Sequence, residues 1–391
     1  MSLNPDITAL IGPNGSGKTN LLKAITLLQL HDYVGRRPPK DTASLRCEIE
    51  AEFTIRRKRI FFKSTLAIRQ NEQNNDEVLF EYDKWNLKDI TGRNAWFSTR
   101  QLVLGGYNYI FERGSTELLR VASGSPKSRK IATPNKAEKE ALSLFRKAYK
   151  FCGSISYYGA SKFTNPGNCP PSFEVDKEGN LLDSNIRSDH TKFMFDLYIM
   201  SRRNTKLYEN YMSLVDRRGL NLIDRITWRT AKFSSSAYEV KTGGKVVNKT
   251  TGKVLVIPTI HISKSQLSFN QLSEGTYRTL ALIFYIVTDK SELLLVEEPE
   301  VCIHHGLLNS VVEVIKNFSR NKQIIFSTHS EAVVDQLEPT NLRLVENVRR
   351  RGTTVRPISQ ALSAKGYSAL KNYLEKSGNL GEYWRHSGFE R

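Results

Sequence analysis

The apolar positions of the chain predict alternating strands and helices near both ends. Residues 7–11 form a short apolar run, and residues 18–30 place Leu21, Leu22, Ile25 and Leu28 at helical spacing. Farther on, the same pattern predicts helices at 273–288, 306–319 and 330–337, alternating with strands at 292–296 and 323–327. Such an alternation is typical of an α/β fold built around a sheet.

The middle of the chain shows a different pattern. Apolar and acidic positions alternate over residues 47–55, and a second run follows at 60–68, which predicts a β-hairpin with one solvent-exposed face. We also predict loops at 71–76 and 123–135, helices at 136–150 and 188–217, and a hairpin at 238–262 with turns at Gly243, Gly244, Thr251 and Gly252. We therefore expect a mixed-sheet head, residues 1–70 and 263–391, interrupted by a basic, mainly helical lobe over residues 71–262.

The chain is basic, and its charge is unevenly distributed. Of 391 residues, 58 are Lys or Arg and 40 are Asp or Glu, which gives a formal net charge of +18. Residues 265–340 hold 5 basic and 10 acidic side chains, whereas residues 127–150 hold 8 and 2, residues 200–253 hold 12 and 4, and residues 343–391 hold 10 and 4. Clustered cations of this kind favour a polyanionic partner such as DNA or RNA.

Composition also restricts the class and location of the protein. The longest apolar run, Leu280 to Val287, is 8 residues long, whereas a membrane-spanning helix needs roughly 20. The first residues lack the basic start and apolar stretch of a secretory signal, and the 4 cysteines are scattered without a CxxC pair. We expect a cytoplasmic protein with no membrane partner.

The first strand leads into a loop with the composition of a phosphate-binding site. Residues 12–19 fit the pattern G-x-x-x-x-G-K-[ST] between a predicted strand and a predicted helix. Backbone amides of such a loop and the start of the helix attract phosphate, the lysine reaches the β and γ phosphates, and the final hydroxyl binds Mg²⁺. The predicted ATP-binding residues here are Gly12, Pro13, Asn14, Gly15, Ser16, Gly17, Lys18 and Thr19.

Three later segments carry further candidate chemistry. An apolar strand ends at Glu297 and Glu298, which we assign to Mg²⁺ and to general-base catalysis. A second strand runs into His329, a candidate sensor of the γ phosphate. Ser273 and Gly275 open a helix whose start could also bind phosphate, although Ser273 alone is a good helix cap.

In this order, the four motifs resemble the ABC-type ATPase heads of the SMC, RecF and OLD families. Asn20 and the run Glu-Glu-Pro-Glu at residues 297–300 point to the RecF/OLD branch, which includes anti-phage ATPase subunits such as PtuA and AriA. The resemblance implies that two heads enclose ATP and Mg²⁺, so the protein would be a homo-oligomer. It also implies that Asn20 binds nucleotide, that Ser273 and Gly275 contact the γ phosphate of the opposite head, and that His329 acts as the switch histidine.

The chain departs from these families at several positions. Cys302 and His305 replace a usual histidine and proline, and Glu274 stands where SMC heads have glycine. Gln70 and Gln101 are both candidates for the glutamine of the Q-loop. Because the first strand begins by residue 7, we expect either that a preceding strand is missing from the sequence or that the sheet edge is rearranged.

No second active site is visible in the sequence. There is no Asp-x-Asp motif for a Toprim nuclease, and the seven histidines lack HNH-like spacing. We therefore expect an ATP-driven switch that binds nucleic acid and controls a separate effector nuclease, of HNH or Toprim type, in anti-phage defence. A RecF-like ATPase of DNA repair or recombination is the alternative. The motor subunit of a transporter is disfavoured by the basic charge and by the sequence separation of 253 residues from Thr19 to Leu272.

Overall fold

Contacts divide the chain into two compact units in the computed structural model. The structure describes residues 1–32, 45–55, 58–70, 76–89, 101–104, 107–111, 117–121, 136–182, 188–240, 242, 246–301, 303–376 and 378–387. The larger unit comprises Met1–Leu22 and Ser156–Arg391, and the smaller unit comprises Lys23–Ile155. These divisions differ from the expected boundaries at residues 70 and 262, because residues 156–262 cluster with the phosphate-loop strand rather than with a separate lobe.

Strands and helices follow the chain in this order. The strands are β1 (Ile7–Ile11), β2 (Leu45–Ile55), β3 (Lys58–Gln70), β4 (Asp76–Asp89), β5 (Gln101–Leu104), β6 (Tyr107–Phe111), β7 (Glu117–Val121), β8 (Ile155–Tyr158), β9 (Phe173–Asp176), β10 (Arg225–Val240), β11 (Val246–Ile262), β12 (Ser265–Leu267), β13 (Leu293–Glu297), β14 (Gln323–Ser327), β15 (Leu342–Val348) and β16 (Gly352–Pro357). The helices are α1 (Lys18–Thr26), α2 (Lys136–Gly153), α3 (Asp189–Arg203), α4 (Thr205–Val215), α5 (Glu274–Thr288), α6 (His305–Ser319), α7 (Glu331–Val334), α8 (Ile358–Ala361), α9 (Ala364–Glu375) and α10 (Leu380–Ser387).

The main sheet of the larger unit is mixed, and the predicted α/β head is confirmed. Its order is β16-β15-β1-β14-β13-β8. β1 runs parallel to β14 and β15, β13 runs parallel to β14, and β16 is antiparallel to β15. β14 thus separates the phosphate-loop strand from the acidic strand, and β15 lies on the other side of β1.

The core of the larger unit forms where apolar strands meet an apolar helix. All five residues of β1 and the first four of β13 are buried. On α5, ten of the 15 residues are buried, among them Tyr277 and Phe284. Phe193 of α3 packs edge-on against both rings, with centroid distances of 5.8 and 5.3 Å. Burial on this scale fixes the ends of β1, β13 and β14, from which the candidate functional side chains project.

A second sheet in the larger unit differs in detail from the predicted hairpin. β10 pairs with β11 from Arg225 to Val240, and β9 and β12 also pair with β11. The predicted turn at Thr251 and Gly252 is wrong, because both residues lie within β11, where the β-branched and apolar run continues the strand. The predicted helix at 188–217 is two helices, since the side chain of Asn204 caps the start of α4.

The smaller unit contains a sheet and α2. Its sheet has the order β2-β3-β4-β7-β6-β5, and β2 with β3 forms the predicted hairpin. On α2, Leu144, Phe145 and Ala148 are buried. The expectation that residues 71–262 are mainly helical is wrong, because long strands share this region with the helices. The alternation of polar and apolar residues along β4 has the two-residue period of a strand. Within the described ranges, no helix is both long and apolar enough to span a membrane.

Candidate functional site: a phosphate loop joined to an acidic strand

The phosphate loop joins β1 to α1 and is closely packed against the β15–β16 hairpin. Gly12 has a φ of +146°, and a Cβ added there would lie 2.2 Å from the Val345 carbonyl oxygen. Gly17 has a φ of +101°, and its added Cβ would lie 2.2 Å from Thr353 Oγ1. Side chains at either position would therefore meet both an unfavourable backbone conformation and a direct clash.

The predicted lysine lies over its own loop. Lys18 is only 4% exposed, and its Nζ donates hydrogen bonds to the carbonyl oxygens of Gly12 at 2.8 Å and Pro13 at 3.0 Å. Burial lowers the pKa of Lys18, while the carboxylates of Glu298 and Glu300 act in the opposite direction. The ammonium group is thus close to the acidic strand and is held by acceptors that phosphate oxygens can replace.

Other atoms of the loop fit an anionic ligand. Ser16 is buried, and its Oγ has no hydrogen-bond partner in the structure. Gly15 has a φ of +77°, and a Cβ added there would meet no atom within 4 Å, so the loop opens to space at this point. Pro13, Asn14 and Asn20 are exposed around it. An unpartnered hydroxyl beside an open, glycine-lined cradle is the arrangement expected for bound phosphate.

Glu297 is held by hydrogen bonds on both carboxylate oxygens. Thr19 Oγ1 donates to Oε1 at 2.6 Å, and the Tyr157 hydroxyl donates to Oε2 at 2.6 Å. The pKa of Tyr157 is raised by burial and by its bond to Glu297, so the phenol remains a donor at neutral pH. Hydroxyl and carboxylate oxygens are the ligands that Mg²⁺ prefers, so Thr19 and Glu297 fit the predicted metal site.

Glu298 leaves the strand in a left-handed backbone conformation. Its φ is +43°, and its amide donates to the carbonyl oxygen of Ser327 at 3.1 Å and to Ser327 Oγ at 3.2 Å. One of its carboxylate oxygens lies 3.4 Å from His329 Nε2. A non-glycine residue in this region costs about 1–3 kcal/mol and often marks a functional position. The turn brings the predicted base next to the predicted sensor.

His329 lies between a cation and an anion. Its pKa is lowered by burial and by Lys18, and the carboxylate of Glu298 only partly opposes this effect. Because the pKa is below the usual 6.5, the imidazole is neutral at pH 7. A neutral imidazole can donate one hydrogen bond without adding a charge beside Lys18.

Glu300 is a further candidate residue, to which the sequence pattern alone assigned no role. Its Oε1 accepts hydrogen bonds from Thr328 Oγ1 at 2.8 Å and from the His329 amide at 2.7 Å. Its Oε2 is buried without a partner, and burial raises the pKa of the carboxyl group. Glu300 thereby fixes the turn that carries His329. The Glu-Pro-Glu run was the signal that could have identified it.

Tyr157 and Thr353 were also missed by sequence reasoning. Tyr157 lies on β8, which adjoins β13 at the edge of the sheet. Thr353 Oγ1 donates to the carbonyl oxygen of Ser16 at 3.1 Å. Neither residue belongs to a recognisable local motif, because each is brought to the site only by strand pairing.

Ser273 and Gly275, which we expected to contact the γ phosphate of a second head, are not part of this hydrogen-bonded cluster. Ser273 is exposed and caps α5, accepting a hydrogen bond from the Thr276 amide at 3.2 Å. Gly275 lies in the first turn of α5 and accepts, through its carbonyl oxygen, a bond from Thr279 at 2.7 Å. Within the part of the chain that the structure describes, neither residue bonds to the phosphate loop.

Several other candidates remain predictions. Gln70 ends β3 and Gln101 begins β5, both in the smaller unit, and their side chains lie outside the described ones. Cys302 is outside the described residues, as is the side chain of His305 at the start of α6. Part of the basic segment 127–150, residues 127–135, is likewise outside them.

Comparison with known proteins gives one family. The family model described as "AAA domain, putative AbiEii toxin, Type IV TA system" matches residues 7–167 and 176–335. A search of curated proteins found no match.

Three solved structures are distantly similar to the chain. The chain is 15% identical to an Smc head bound to the C-winged helix domain of ScpA, with a TM-score of 0.39 and 94% of each chain covered. The SMC head domain from Thermotoga maritima is 13% identical, with a TM-score of 0.37, and the match covers 91% of this chain and 92% of that chain. The Smc head domain with an extended coiled coil, bound to the C-terminal domain of ScpA derived from Pyrococcus furiosus, is 14% identical, with a TM-score of 0.37. That match covers 96% of this chain and 94% of that chain.

Proposed function

Because the chain belongs to this AAA-domain family, we propose that it is an ATPase that uses ATP and Mg²⁺ to switch between assembly states. Two copies join head to head on ATP, the assembly binds nucleic acid, and its state controls a separate effector nuclease in anti-phage defence. The observation that carries the proposal is the bond between Thr19 and Glu297, which joins the phosphate loop to the acidic strand. The expected likeness to PtuA and AriA remains a prediction.

The hydrolysis step assigns a role to each clustered residue. Glu298 accepts a proton as the water oxygen bonds to the γ phosphorus, and the bond from that phosphorus to the bridging oxygen breaks, leaving its electrons on ADP. Lys18 exchanges its carbonyl partners for phosphate oxygens, and neutral His329 donates a hydrogen bond to the γ phosphate. Thr19 and Glu297 would hold Mg²⁺, which would neutralise part of the negative charge of the phosphates.

The exposed position of Ser273 supports the proposed assembly. Ser273 is exposed at the start of α5, where the helix dipole favours an anion, yet it makes no bond to the phosphate loop of its own chain within the described residues. A γ phosphate presented by a second copy would complete both sites. Activity should therefore rise steeply with protein concentration.

Nucleic-acid binding is supported by exposed cations in the smaller unit. On α2, Lys136, Lys139, Arg146, Lys147 and Lys150 are exposed, whereas the apolar side of the helix is buried. Replacing Lys136, Lys139 and Lys147 by Glu should weaken DNA or RNA binding and flatten its dependence on salt. Unchanged affinity would show that this surface is only solvated.

Two substitutions test the nucleotide chemistry. Lys18→Ala should abolish binding of a fluorescent ATP analogue, because it removes the cation that faces the phosphates. Glu298→Gln should retain ATP binding, reduce turnover by about 10²–10⁴-fold, and accumulate an ATP-held assembly visible by light scattering. Glu313→Gln is the control, since Glu313 is an exposed residue of α6 paired with Lys316. Normal turnover by Glu298→Gln would refute the assignment of the base.

The switch itself is tested by what accompanies the trapped assembly. Glu298→Gln protein purified from its host with ATP should carry nucleic acid and a nuclease, identified by absorbance and mass spectrometry. The nuclease should be released or activated when ATP is removed from this assembly. Nucleic acid without any nuclease would overturn the defence proposal and favour a repair function.

A further inference from the structure

The hairpin beside the phosphate loop ends in three consecutive arginines. β15 and β16 pair from Arg343–Pro357 to Val348–Gly352, and the Arg351 amide closes the turn by donating to the Val348 carbonyl oxygen at 2.9 Å. Arg350 has a φ of +70°, and Gly352 has a φ of +72°. Arg349, Arg350 and Arg351 are all exposed. We call these three residues the arginine tip.

The positive charge of this hairpin is concentrated in the arginine tip. In the stem, Arg356 is paired with Glu346. Buried Arg343 is satisfied by the carbonyl oxygens of Ser2, Thr340 and Leu342 and by the side chain of Asn4. By contrast, no acidic side chain among the described residues pairs with the arginine tip. Three permanent charges in one tight turn repel one another, and an external anion relieves that repulsion.

The stem also connects the arginine tip to the nucleotide site. Val345 packs its carbonyl oxygen against Gly12, and Thr353 bonds to the carbonyl oxygen of Ser16. Thr353 directly follows Gly352, so the residue that bonds to the phosphate loop comes immediately after the turn. A displacement of the turn is therefore transmitted to the loop through two direct contacts.

We propose that the arginine tip binds the phosphodiester backbone of nucleic acid and that this binding is coupled to the phosphate loop through Thr353. The assignment rests on the nucleic-acid binding proposed above and gives it a site on the larger unit. The phosphates of a nucleotide in the loop would already be bound by Lys18, the backbone amides and the metal ligands, so the nucleotide does not need the arginine tip. Three adjacent guanidinium groups that project from a turn suit several phosphates in succession, which a polymer provides.

The size of the effect follows from counterion release. Each phosphate neutralised on duplex DNA contributes about 0.9 to the slope of log affinity against log salt, and about 0.7 on a single strand. If each arginine neutralises one phosphate, removing the arginine tip lowers the slope by about 2.7 on a duplex. At 0.15 M salt, compared with 1 M, counterion release raises the affinity for DNA roughly 5-fold for each phosphate neutralised. Removing all three arginines should therefore weaken DNA binding at 0.15 M salt by on the order of 100-fold.

The test compares two triple variants of the full chain. One replaces Arg349, Arg350 and Arg351 by Ala. The matched control replaces three exposed cations elsewhere in the larger unit by Ala. These are Lys264, Lys290 and Arg320. Binding is measured by fluorescence anisotropy with a labelled 30-base-pair DNA duplex, its single strand and the matching RNA, over a range of salt concentrations. ATP affinity is measured in parallel with a fluorescent analogue.

Each outcome bears on a different statement. The proposal predicts a large loss of affinity and of salt slope for the tip variant, and neither loss for the control. Equal affinity and slope in the tip variant and the wild-type protein would overturn the site while leaving nucleic-acid binding intact. A wild-type protein that binds none of the three probes would overturn nucleic-acid binding itself. Loss of ATP affinity without loss of nucleic-acid affinity would assign the arginine tip to the nucleotide site instead.

Coupling is tested by Thr353→Val, which keeps the arginine tip but removes the hydroxyl that bonds to Ser16. Nucleic-acid binding should persist in this variant, whereas the effect of the DNA duplex on the rate of ATP hydrolysis should be lost. The separate single variant Thr353→Ser retains the hydroxyl, so in that variant the DNA duplex should still change the rate of ATP hydrolysis. An unchanged response of Thr353→Val to the duplex, or no response in the wild-type protein, would refute the coupling.

Discussion

Replacing Tyr157 by Phe tests whether the proposed Mg²⁺ site depends on a residue outside the sequence motifs. The substitution keeps the ring and removes only the hydroxyl that donates to Glu297 Oε2 at 2.6 Å. Thr19 still donates a hydrogen bond to Oε1 of Glu297, so the carboxylate stays near the loop. With only this one hydrogen bond left, the carboxylate is free to rotate. We expect the phosphate loop to remain intact and the metal site to become poorly oriented.

The expected magnitude comes from the geometry of that bond. A hydrogen bond to a charged group contributes about 1.5–3 kcal/mol. Tyr157 is only half-buried, so water can partly replace the lost donor, and the lower end of that range applies. About 1.5 kcal/mol corresponds to roughly a tenfold change, which agrees with the effects of about 10- to 100-fold seen when partners of metal ligands are removed.

The assay measures ATP turnover and nucleotide binding as functions of Mg²⁺ concentration. In Tyr157→Phe, turnover should fall about tenfold and half-saturation should require more Mg²⁺, whereas metal-free binding of an ATP analogue should not change. Tyr373→Phe is the matched control, because Tyr373 donates an equivalent 2.7 Å bond to Glu382 on the C-terminal helices. Wild-type turnover and Mg²⁺ dependence in Tyr157→Phe would refute the reasoning.

Two further variants probe the backbone of the site and its protonation. Gly17→Ala should weaken ATP binding by roughly 5- to 150-fold, since backbone strain costs about 1–3 kcal/mol and the new Cβ meets Thr353. Adding Thr353→Ala should restore only part of this loss in a fluorescence titration, and full recovery would show that strain is negligible. Glu300 has a raised pKa, so its contribution to stability is complete below pH 4.5 and is lost as the pH rises through the raised value. The free energy of unfolding of the wild-type protein, measured in urea, should therefore fall relative to Glu300→Gln as the pH rises above 4.5, and a constant difference would contradict the shift.

Local sequence predicted the parts of the site that are contiguous in the chain. A strand, a glycine-rich loop and a helix start within residues 7–26 specify the phosphate loop through their own backbone geometry, and the structure has them at those positions. The strands ahead of Glu297 and His329 were likewise predicted from short apolar runs. The smaller unit was harder, because charged strands such as β4 have weak apolar runs, and a helical lobe was expected where strands predominate.

Tertiary structure decided which side chains meet. Glu297 is 278 residues from Thr19 and 140 from Tyr157, yet both hydroxyls bond to its carboxylate because β8 lies beside β13 and β1 lies two strands away. The left-handed backbone of Glu298 depends on its bonds to Ser327, and the place of the arginine tip depends on β15 pairing with β1. A sequence determines which chemical groups are available and how they repeat locally. Strand order determines their separation in space, and it follows from burial of the whole core rather than from any one segment.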